Sequence, residues 1–101
     1  MFTLIRSTLF DEWLTGLSDQ KAKARILARL ASAAFGNFGD CKAVGEGVSE
    51  MRVHHGPGYR VYFVRNGETV YMLLLGGDKT SQQRDIKRAK SMAKALKETG
   101  T

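Results

Sequence analysis

Apolar positions recur along the chain with two periods, and each period marks a different element. Phe10, Trp13, Leu14 and Leu17 fall at helical spacing, and Ala22, Ile26, Leu27, Leu30, Ala33 and Ala34 continue it as a second, longer helix. The pair is expected to form a helical hairpin. Ser18 or Asp19 can cap the second helix, and Gly36-Asn37 closes it with residues that tolerate the left-handed conformation. Ahead of them, Phe2 to Ile5 reads as a short edge strand or an extended lead-in. From Gly39 to Gly47 glycines punctuate a loop or short strand around Lys42 to Val44.

The period then changes to two. Val48 to His54 and Tyr59 to Arg65 read as strands joined by His55-Gly56-Pro57-Gly58, and Thr69 to Leu75 follows the hairpin turn Asn66-Gly67. Neighbouring strands should be antiparallel. The run Thr69-Val-Tyr-Met-Leu-Leu-Leu75 is apolar at nearly every position, as in a strand covered on both faces, and Gly76-Gly77 is expected to end it. Thr80-x-x-Gln83 has the pattern of a capping box opening a last helix, whose apolar stripe is Ile86, Ala89, Met92, Ala93 and Leu96. Gly100-Thr101 reads as a frayed end. The expected architecture is therefore α+β: a helical hairpin possibly preceded by a short strand, an antiparallel sheet of three to four strands, and a C-terminal helix. It forms one domain over residues 1–101, a length sufficient for a single core.

Charge narrows the choice of partner. Sixteen Lys and Arg stand against ten Asp and Glu, a formal net charge of +6, which favours a polyanion such as RNA. The single cysteine, Cys41, rules out an intramolecular disulfide, and no run approaches the ~18 apolar residues of a membrane span, so a cytoplasmic protein is expected. Cations gather where the strands end: Arg52, His54, His55, Arg60 and Lys79, with Tyr59 beside them. Alternation places Met51 and Val53 on one face and Glu50, Arg52 and His54 on the other. Such a set suits metal-independent RNA cleavage. There the substrate's own 2′-hydroxyl attacks the adjacent phosphorus, and the protein accepts a proton, stabilises the phosphorane's charge and protonates the leaving oxygen. An imidazole can serve as base or acid in such a reaction, which makes His54 and His55 the candidates for proton transfer. On a regular strand they face opposite ways, and His54 is the preferred base because it shares the parity of Arg52. Lys42, His55, Arg84 and the basic faces of the long helices, including Lys21, Lys23, Arg25 and Arg29, are candidate RNA contacts. Tyr59 is a candidate for stacking on a base, whereas Trp13 reads as core.

In their order and spacing, the segments WLTGLSD, RILARL, FGNFGD, KAVGEGVSEMR, GPGYRVYF and LLLGGDKTSQQRDIKRAK resemble the RelE/HigB superfamily of bacterial toxins, in particular its phage-related addiction module killer branch. The resemblance implies a microbial-ribonuclease-like fold and ribosome-dependent mRNA cleavage without metal or other cofactor. It also implies neutralisation by a cognate antitoxin, a helix-turn-helix protein through which operator DNA is contacted only indirectly. Within it, Arg60 matches the arginine on the scissile phosphate and Lys79 a basic active-site position, with Asp78 able to orient either. The chain departs from the pattern in two places. Ser49, Glu50 and Arg52 stand where relatives place paired lysines, and Gln82, Gln83, Arg84 and Asp85 stand where some relatives carry a tyrosine. Two competing readings remain, a non-catalytic ribosome-binding module and an inactive phage-derived relative.

Overall fold

A computed structural model describes residues 1–100. The elements run β1 (Thr3–Arg6), α1 (Thr8–Gly16), α2 (Gln20–Ala34), β2 (Cys41–Gly45), β3 (Val48–Val53), β4 (Tyr59–Arg65), β5 (Val70–Asp78), a 3-10 turn (Lys79–Ser81) and α3 (Gln82–Gly100). Gly100 continues α3, while Thr101 lies outside the described residues. The fold is α+β as expected, but the sheet has five strands in the order β1-β5-β4-β3-β2 and is mixed rather than antiparallel. Strand β1 lies parallel to β5, because α1 and α2 carry the chain away before the meander begins. Among the described residues, no helix is long and apolar enough to cross a membrane.

The sheet separates two apolar clusters. On one face α1 and α2 bring Phe10, Leu14, Ala22, Ile26 and Leu30 against Met51, Val53, Val61 and Phe63. On the other, α3 lays Ala89 and Ala93 on Val48, Tyr62, Leu74 and Leu75. This is how β5 comes to be apolar throughout. A bulge sits opposite Tyr62 and Phe63, which pair with Leu75 and Leu73, so Leu74 and Leu75 both reach the α3 side.

Three expectations need correction. The strand β5 does not stop at Leu75 but runs through Gly76 and Gly77 to Asp78. Neither glycine is a terminator. A Cβ on Gly76 would stand 2.2 Å from Trp13 Cε3, and one on Gly77 1.9 Å from Asp85 Oδ2, so both are glycine because other side chains occupy that space. The reciprocal cap belongs to Asp78 and Ser81 around the 3-10 turn rather than to Thr80 and Gln83. His54 lies just past the end of β3, which closes at Val53. The caps on the first two helices are Ser7, whose Oγ accepts from Phe10 N at 3.0 Å, and Asp19, which accepts from Lys21 N and Ala22 N.

Candidate active site at the open end of the sheet

Helix α3 covers only part of its face of the sheet. Beyond its N-terminus, strand register sets Arg52 directly opposite Arg60, and Lys42 opposite Glu50. Cross-strand partners share a face, so Lys42, Glu50, Arg52 and Arg60 all lie on the α3 side. Like charges opposite one another destabilise a sheet, and here each arginine has its own carboxylate. Arg52 Nη2 donates to Asp40 Oδ1 at 2.8 Å. Arg60 Nε lies 3.5 Å from Glu50 Oε2.

Glu50 is 1% exposed, and the sequence marks it only by its shared face with Arg52. Its Oε2 also accepts from the Tyr62 hydroxyl at 3.0 Å and from Gln82 Nε2 at 2.9 Å. Burial, reinforced by this bond to a carboxylate, pushes the Tyr62 phenol well above its ordinary range. Arg60 is 13% exposed along its side chain, and its Nη1 donates to Gly58 O at 2.8 Å. The guanidinium is thus held from both sides at the lip of an open hollow lined by His54, His55, Gly56, Pro57, Gly58, Arg60 and Lys79. Arg60 Nη1 and Lys79 Cβ lie 3.3 and 3.9 Å from the point where a Cβ on Gly58 would stand. The φ of +81° at Gly58 suits glycine and lets the backbone pass between them.

The two histidines are each tied to a different acid. His54 Nε2 lies 2.6 Å from Asp40 Oδ2, and the imidazole is 76% exposed at the rim. The bonds from Arg52 and then from His54 hold the Asp40 carboxyl below its ordinary value. His55 Nε2 lies 3.2 Å from Asp19 Oδ2, fastening the β3–β4 loop to the start of α2. Asp19 is likewise held low, by the amide of Ala22 first and by His55. Asp78 is held low chiefly by the Thr80 hydroxyl, and so points into its own turn while Lys79 faces the hollow.

Lys79 is shared with a second hollow lined by Thr80, Ser81, Gln82, Gln83 and Arg84. Arg84 is exposed there, 3.9 Å from Asp85. Lys42 is exposed on β2, the short-strand alternative of the two expected around Lys42 to Val44. Tyr59 is corrected by its burial. It is 8% exposed in the α1 and α2 cluster, its ring 6.2 Å from that of Trp13, so that surface is covered and not open to a base. Arg29 also leaves the RNA-contact set. Its guanidinium donates to the carbonyls of Arg52, Phe38 and Asp40, bracing the loop that carries Asp40. Asp40, Gln82 and Arg29 were missed because each acts from a distant segment. Only Glu50 had a signal, its shared parity with Arg52.

A mixed five-stranded sheet backed by helices on both faces, with a cationic end left open, is an α+β fold consistent with the microbial-ribonuclease type. The model of the phage derived protein Gp49-like family (DUF891) matches residues 12–98. The chain belongs to that family, which is toxin-like and of the addiction module killer kind. A Haemophilus influenzae Rd protein described as uncharacterized is similar to it, 48% identical over 93 residues, which cover 91% of this chain and 94% of that protein.

Proposed function

We propose that this chain is the toxin of a type II toxin–antitoxin module, of the RelE/HigB kind, and that it cleaves mRNA on the ribosome. The observation that carries this reading is the facing pair Arg52 and Arg60, each held by a carboxylate beside a hollow that also presents His54 and Lys79. Keeping two guanidinium groups in register is unfavourable for a sheet alone, and it suits a site that must meet a phosphodiester.

In the proposed reaction the 2′-hydroxyl attacks the adjacent phosphorus, the new O2′–P bond forms as the P–O5′ bond breaks, and a cyclic phosphate remains. His54 takes the hydroxyl proton. Its Nε2 is engaged by Asp40, which leaves Nδ1 as the basic atom when Nε2 carries the hydrogen. Arg60, already fixed in place, receives the phosphorane's charge without reorganising, which is the condition under which such stabilisation is largest. Lys79 adds charge at the leaving 5′-oxygen and supplies its proton. Arg52, Lys42 and Arg84 hold flanking phosphates, and no metal takes part in the steps proposed. A cognate antitoxin, of the helix-turn-helix DNA-binding class, covers this basic surface until the toxin is released, and the site of action is the cytoplasm.

Primer extension on reporter mRNAs from cells expressing the chain or its Arg60→Ala variant tests the reading. Wild type should arrest growth and create new, ribosome-dependent 5′ ends, and Arg60→Ala should remove those ends while ribosome binding stays within about threefold. Arrest without new ends would replace the ribonuclease reading by that of a binding module. No arrest would show an inactive relative.

A further inference from the structure

Two donors converge on one buried atom, Glu50 Oε2, the Tyr62 hydroxyl and the Gln82 amide, and Arg60 Nε lies 3.5 Å from the same oxygen. A carboxylate that is 1% exposed and already engaged in this way is poorly placed to take a proton from RNA. Yet a carboxylate is costly to bury, and the Tyr62 and Gln82 donors could be met by a neutral acceptor, so the charge itself calls for a cationic dependent. What depends on it is Arg60. Its Nε is buried without a hydrogen-bond acceptor in good geometry, so the nearby Glu50 charge is its compensation on the inner side.

We propose that Glu50 is the positioning residue of the site. It holds Arg60 from beneath and Gln82 from the side, so that the outer edge of the guanidinium meets the phosphate preorganised. The proposal rests on the cleavage reading for its functional consequence, though the Glu50–Arg60 coupling exists in the free protein. Two measurements therefore separate the two ideas.

In 15N-labelled protein, Glu50→Gln should speed hydrogen exchange at Arg60 Nε–H at least about tenfold, because the amide keeps the shape and loses the charge. On programmed ribosomes the same variant should cut single-turnover cleavage about 30-fold with binding within about threefold, and should cost nothing further in an Arg60→Ala background. Additive losses, or an unchanged Arg60 exchange rate, would overturn the proposal, since a merely structural carboxylate would behave so. If wild type makes no cuts, the cleavage reading fails and the exchange measurement alone decides the coupling. Should Glu50→Gln not fold, Tyr62→Phe loosens the same carboxylate and should raise the exchange rate about threefold. No change there would also overturn it.

Discussion

Arg52 and Arg60 show how little a residue's type says about its work until its partners are known. Both stood out as candidates, Arg52 among the cations at the strand ends and Arg60 through the resemblance that GPGYRVYF helps carry, but Asp40, which holds Arg52 and His54 together, lies 12 and 14 residues away from them in sequence. Nothing in its neighbourhood distinguishes it from any loop aspartate. Tyr59 fails in the opposite sense, because an aromatic ring near a basic turn reads equally well as stacking surface or as core. Asp40 also makes a pH prediction. Its folded pKa is depressed below the ordinary 3.8 by Arg52 first and His54 second, so its stabilising contribution is present above that value and is lost as pH falls through the folded pKa. In urea unfolding, wild type should therefore exceed Asp40→Asn at neutral pH, and the gap should close as pH drops below 3.8. A gap that stays constant down to acid pH would show that the carboxylate's charge contributes nothing.

At the level of elements, helix α2 does two jobs that its sequence pattern divides unevenly. The apolar face, Ala22, Ile26, Leu30 and Ala33, was plain from its spacing and packs as expected. On the polar face, Arg29 was indistinguishable from Lys21, Lys23 and Arg25, yet it reaches three carbonyls of the Phe38–Asp40 loop and β3. A Cβ on Gly39 would stand 2.8 Å from Arg29 Nη2, so the loop is glycine where the guanidinium passes. Arg29→Ala should cost about 2–3 kcal/mol, since charged donors leave several part-buried acceptors. On the proposed cleavage reading it should also lower the cleavage rate by freeing Asp40 and His54, whereas Arg25→Ala should leave stability within about 0.5 kcal/mol of wild type. Equilibrium denaturation of the two variants checks this directly, and equal effects would remove the bracing assignment. The bulge in β5 and the parallel pairing of β1 belong to this scale too. Both depend on which strand lies alongside, which periodicity within a single strand does not record.

For the whole molecule, the net charge of +6 is the quantity that needs no structure. It predicts that affinity for RNA falls linearly with the logarithm of salt concentration, at about −0.7 per phosphate contacted on a single strand. Arg60→Ala should make that slope shallower by about 0.7, read by fluorescence anisotropy on a single-stranded RNA oligonucleotide, while Tyr59→Phe should leave it unchanged. A slope untouched by Arg60→Ala would place the arginine away from the phosphates. Sequence alone determined the α+β class, nearly every element, the two apolar stripes that meet the sheet and the basic balance, because each follows from local periodicity and composition. The tertiary structure decided the rest: the fifth strand and its direction, the burial of Tyr59, and the pairing of Asp40 and Glu50 with the two arginines. Those depend on contacts between segments far apart in the chain, and local pattern carries no term for the distance at which a carboxylate meets a guanidinium.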